Sequence, residues 1–216
     1  GTSAPNHTII SNTYGRITNA GIMINSITSI VIDQFGRDVT NNYNISYQEG
    51  SLIVYPKIIS IISSDKDKRF DGTPLISEEY DIYGELVGND EIIYNSISSI
   101  TYPGEIENKF NVRVVNNGVD VTRNYEIVEQ YGILTINKIF LTITSESANK
   151  VYDGTPLEAS GYEVSDENLV YHEHELIVKN VGSLIDVGEI ANVSHAWVLD
   201  HNGIDVSNYY EFDIQY

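Results

Sequence analysis

Short runs in which apolar and polar residues alternate cover most of the chain. Val112 and Val114 alternate with Asn111 and Arg113, and Leu141 and Ile143 with Thr142 and Thr144. A period of two places one set on a buried face and the other outside, which predicts half-buried strands. Over residues 58–138 the pattern predicts strands at 58–62, 75–83 (irregular), 91–98, 108–115, 124–128 and 133–137. The last two are expected to pair through Glu129, Gln130, Tyr131 and Gly132. Tyr125, Ile127, Leu134 and Ile136 would then face inward, and Glu126, Thr135 and Asn137 outward. Turn chemistry separates the strands: Asp71-Gly72-Thr73-Pro74, Tyr102-Pro103-Gly104-Glu105, and the hairpin signal Asn116-Asn117-Gly118. Helical periodicity is scarce; residues 165–176 carry a cap and an acidic first turn, so at most one short helix per unit is expected.

The pattern recurs. Asp38-Val39-Thr40-Asn41-Asn42-Tyr43 returns as Asp120-Val121-Thr122-Arg123-Asn124-Tyr125 and as Asp205-Val206-Ser207-Asn208-Tyr209-Tyr210. The tyrosines Tyr43, Tyr125 and Tyr210 are 82 and 85 residues apart, a period long enough for each unit to fold as a small domain. The reading is a mainly β chain of tandem small β-rich domains, β-grasp-like or Ig-like sandwiches, in an elongated array. Residues 1–57 form a partial repeat lacking its opening strand, because His7-Thr8-Ile9-Ile10 aligns with the third strand of the reference. Residues 58–138 form a complete repeat, and 139–216 a repeat lacking the closing strand. Tyr55-Pro56-Lys57 and Ile136-Asn137-Lys138 run directly into the next first strand, and such short joints favour a semi-rigid rod. A missing strand leaves an open sheet edge, so strand-mediated self-association is a further expectation.

Composition narrows the partners. With no Cys, neither disulfides nor thiolate metal sites stabilise units this small. A net charge of −19, without any Lys/Arg cluster, disfavours nucleic acid and anionic lipid. No apolar run reaches the roughly 20 residues of a membrane span, so no membrane insertion is expected.

Four features invite chemistry. His172 and His174 flank Glu173 on alternate positions, so one strand face would offer two imidazoles to a metal. Asp65, Asp67 and Asp153 are turn carboxylates that would suit calcium, although Lys66 and Lys68 compete. Among sixteen tyrosines, the recurrent Tyr43, Tyr125 and Tyr210 read as core, and Tyr14, Tyr83 and Tyr171 as surface candidates for a glycan or protein. Lys57 and Lys138 end their strands where a buried lysine beside a carboxylate would form an isopeptide crosslink. Solvated edges, plain turns and snorkelling lysines explain the same residues without a ligand. No catalytic, metal or cofactor-binding residue is assigned, and no cofactor is expected.

Tyr152-Asp153-Gly154-Thr155-Pro156-Leu157, the Asp-Val-(Thr/Ser) motif, and the closing glycine followed by Leu134, Ile136 and Lys138 resemble the YDG and MBG ("mostly β-grasp") repeats of bacterial cell-surface proteins. Phe70 stands where that pattern has tyrosine. The resemblance implies an extracellular, cell-surface setting and a stalk or spacer role in an adhesin, with no enzymatic activity. The alternative is that one repeat is itself adhesive, binding a host or bacterial surface protein or glycan.

Overall fold

The structure is a computed structural model and describes residues 6–165 and 171–216. The strands are β1 (Thr8–Tyr14), β2 (Gly21–Ile32), β3 (Gly50–Val54), β4 (Lys57–Ser63), β5 (Lys66–Arg69), β6 (Tyr80–Tyr83), β7 (Asp90–Ser96) and β8 (Gly104–Glu107). They continue as β9 (Phe110–Asn116), β10 (Val119–Asp120), β11 (Tyr125–Gln130), β12 (Ile133–Asn137), β13 (Ile139–Ser145), β14 (Tyr162–Val164), β15 (His174–Asn180), β16 (Ser194–Asp200) and β17 (Tyr210–Gln215). The protein is mainly β, with several small sheets and, among the described residues, no α-helix. Of the segment 165–176, read as a helix candidate, residues 166–170 lie outside the described residues; its end, from His174, is strand β15.

The chain divides into two compact units, one of Gly1–Ile61, Ile82–Tyr94 and Val112–Gln130, the other of Ile62–Asp81, Asn95–Asn111 and Tyr131–Tyr216. The first holds the antiparallel meander β1-β2-β3, with Gly21 opposite Val54 and Tyr14 opposite Ser26. It also holds most of the sheets β11-β4-β6 and β10-β9-β7. The second contains β5-β12-β8, β14-β13-β17 and the pair β15-β16. Its core is a cluster of Phe70, Leu75, Leu134, Ile136, Ile139, Leu141, Val198, Val206 and Tyr210. Alternation explains the membership: Ile139, Leu141 and Ile143 are buried along β13 while Phe140 and Thr144 face out. The inward and outward assignments of Leu134, Ile136, Val114, Asn111, Arg113 and Asn137 hold in the same way. The Asn116-Asn117-Gly118 turn also forms, with Asn117 at φ +49° and Gly118 at φ +82° joining β9 to β10.

One pairing differs from the expectation. β11 and β12 do not form a hairpin; β11 adds to β4, and β12 lies between β5 and β8. It runs parallel to β5, with Ile136 beside Lys68, and antiparallel to β8, with Leu134 beside Ile106. The cause sits at Gly132. A Cβ there would come within 2.6 Å of the Ser63 carbonyl and the Ser64 backbone, so only glycine lets the chain cross β4's end and enter the other sheet. As a central strand β12 buries Leu134 and Ile136 almost completely.

Candidate functional site

The recurrent Asp-Val-(Thr/Ser) sequence builds one turn at three places. The Asp38, Asp120 and Asp205 carboxylates each accept the backbone N–H of the residue two positions on. The hydroxyl of Thr40, Thr122 or Ser207 then accepts a backbone N–H from Val31, Val114 or Val198, all at 2.9 Å. The intervening valine N–H is 2.8 Å from the carbonyl of that same strand residue. A single 3-10 turn follows each time, and the next residue, Tyr43, Tyr125 or Tyr210, returns to extended backbone. Hydrogen bonds to the charged form hold all three aspartates below the usual carboxylate range, the hydroxyl of Thr40, Thr122 or Ser207 contributing most.

Each tyrosine then uses its hydroxyl to hold the start of a strand. Tyr125 donates to Asp90 Oδ2 at 2.6 Å and accepts the Val87 N–H at 2.8 Å. Tyr210 accepts the Tyr171 N–H and meets His174 Nδ1 at 2.8 Å, and Tyr43 meets His7 Nδ1. His7, Asp90 and His174 are different residues, yet they lie 36, 35 and 36 positions before their tyrosines. That near-constant spacing is the signal in the sequence that would have found them.

A second motif seats a lysine. Lys68 Nζ donates to Asp71 Oδ1 (2.7 Å), Thr73 Oγ1 (2.6 Å) and the Thr73 carbonyl (2.8 Å). Lys150 Nζ repeats this on Asp153 Oδ1 (2.8 Å), Thr155 Oγ1 (2.7 Å) and the Pro156 carbonyl (3.1 Å). Gly72 and Gly154 supply the left-handed corner at φ +77°. The Lys68 ammonium, followed by the Thr73 hydroxyl, pulls the Asp71 carboxyl down to about 2, and Lys150 lowers Asp153 in the same way. An ammonium thus fills the oxygen-rich Asp153 turn, where the sequence suggests calcium. Asp65 and Asp67, from the same candidate set, face β12: Asp65 accepts the Ile133 N–H at 2.7 Å, and Asp67 the Asn137 side-chain amide.

The two histidines do not converge. His172 is exposed, whereas His174 stacks on Phe70, with centroids 5.9 Å apart, in a cluster with Tyr171 and Tyr209. Burial lowers the His174 pKa, favouring the neutral ring that Tyr210 meets. Tyr171 therefore packs inside this cluster, its ring against Gly72, while Tyr14 and Tyr83 are exposed; of the three tyrosines expected in the core, Tyr125 and Tyr210 are buried but Tyr43 is 42% exposed. Lys57 and Lys138 are exposed too, not in the buried setting that an isopeptide bond needs.

The second unit also carries a groove of about 930 Å³, lined by residues 145–150 and 184–192 together with Tyr152, Leu157 and others. Strands β13, β14, β15, β16 and β17 match β4, β6, β7, β9 and β11 in sequence position and pairing, but residues 146–151 and 185–193 form no strand. These are the counterparts of β5 and β8, the neighbours of β12. No family model, curated protein or solved structure matches the chain.

Proposed function

We propose that the chain is a set of tandem β-rich modules serving as a structural stalk or spacer of an extracellular bacterial surface protein. The observation that carries this reading is the threefold return of one hydrogen-bonded turn with its tyrosine lock. Asp38, Asp120 and Asp205 each cap a turn, and Tyr43, Tyr125 and Tyr210 each tie it to a strand start. The motifs with the most chemistry on offer, Asp-Val-(Thr/Ser) and Lys-x-x-Asp-Gly-Thr, direct their polar groups to one another and to nearby backbone. That is the economy of a module selected to keep a shape. The likeness to YDG and MBG repeats supports the same role and the cell-surface setting. Small-angle scattering tests it: a compact chain of 216 residues has a radius of gyration of about 17 Å, and the stalk requires a value well above this. A value near the compact one would contradict it.

A second reading, in which one repeat is adhesive, rests on β2 and β3. Ile22 and Ile24 lie on one face of β2, Ile53 stands opposite Ile22, and all three are exposed. The matching positions of β8 and β12 are Glu105, Glu107 and Thr135. An apolar strip present in one repeat and polar in its neighbour suits a surface protein or glycan partner. Loss of cell or glycan-array binding in an Ile22→Lys/Ile24→Lys double variant would support this reading, and unchanged binding would remove it.

A further inference from the structure

In residues 58–138, β5 and β8 are strands only by virtue of β12: the sheet order is β5-β12-β8, and neither pairs with any other strand. In the later repeat the corresponding segments, 148–151 and 188–191, are without strand structure, and residues 148–150 and 188–191 line the 930 Å³ groove. Burial records the same difference. Asn108 is 0% exposed and its counterpart Asn192 is only half-buried. Val187 at 90% and Ile190 at 52% stand open on the opposite wall.

The floor of the groove keeps the features that receive β12 in the other repeat. Asn108 Nδ2 donates to the Ser64 carbonyl, and Asn192 Nδ2 donates to the Glu146 carbonyl at the matching place. Leu75 and Ile100 form a β-bridge beside β12, and Leu157 and Leu184 form the same bridge beside the groove. What differs is the pair of apolar side chains, Leu134 and Ile136, that β12 brings.

We propose that this groove is a strand-acceptor site whose occupant is an extended segment of the Gly-x-Leu-x-Ile type, the chemistry of β12 itself. The occupant runs parallel to 148–151 and antiparallel to 188–191. Its leucine lies between Ala148 and Ile190, its isoleucine between Lys150 and Gly188, and its backbone completes both flanking strands. The glycine is a specificity element, because the backbone at Ser145 and Glu146 stands where Ser63 and Ser64 meet Gly132. This site is independent of the stalk reading: a stalk without an acceptor groove, or an acceptor groove in a chain that is no stalk, are both coherent.

The test adds a capped synthetic peptide with the sequence of residues 131–138 to the 216-residue chain. Titration calorimetry should give saturable one-to-one binding, and hydrogen exchange should slow at amides 148–151 and 188–191. A peptide carrying Gly132→Val, or Leu134→Ser with Ile136→Ser, should bind at least about tenfold more weakly. An Ile190→Asp chain should lose affinity as well, with Trp197 fluorescence reporting that β16 stays folded. No binding, or equal binding of the Gly132→Val peptide, overturns the proposal. So does a chain dimer that protects the same amides and resists the peptide, since the occupant would then be a second copy.

Discussion

A tyrosine hydroxyl beside a strand start is the smallest element that the three recurrent turns share. Tyr125 is buried apart from its hydroxyl's two partners, the Asp90 carboxylate and the Val87 N–H. Removing that hydroxyl leaves the Val87 N–H without its partner and the Asp90 carboxylate with Asn116 alone, so Tyr125→Phe should lower stability by about 1–2 kcal/mol in urea denaturation. An unchanged midpoint would show that ring packing alone does the holding. The lysine-seated turns give a pH signature. Asp71 titrates at about 2 in the folded chain against an ordinary 3.8, so the native state holds the proton more weakly than the unfolded one. The turn's contribution is therefore complete above about pH 4 and disappears as the pH falls toward 2. Lys68→Ala should flatten that part of the stability-against-pH curve; an equally steep acid limb in the variant would move the cause elsewhere.

At the scale of elements, β12 is the central strand that holds the β5-β12-β8 sheet together. Leu134 is wholly buried at its centre, and Leu134→Ala should cost about 2–5 kcal/mol by thermal or chemical denaturation. The same change at Leu52 in β3, an edge strand with a half-buried leucine, should cost clearly less. Equal losses would mean that β12 is not the keystone of its sheet. The sequence made the strands legible wherever one face is buried, as in β9, β12 and β13, because alternation reports faces. It does not report partners, and so β11 and β12 read as a hairpin although Gly132 sends them to different sheets. β5 was illegible for a plain reason: Lys66, Asp67, Lys68 and Arg69 are all charged, and the segment becomes a strand only through its neighbour β12. β8 was hidden behind Pro103-Gly104, whose turn chemistry masked the four paired residues that follow. The tyrosine locks were half legible, since the rings recur but His7, Asp90 and His174 have nothing in common beyond meeting a tyrosine hydroxyl.

At the scale of the whole chain, the proposal is of small modules joined with little slack, bearing load in series. Single-molecule stretching between the two ends tests this most directly. A module of the length of residues 58–138 releases about 25–30 nm of contour when it unfolds, at roughly 3.6 Å per residue. The account predicts a sawtooth of separate events, the largest near that increment, and a Leu134→Ala chain in which that event moves to lower force while the others stay. One cooperative rupture freeing the entire chain would contradict it.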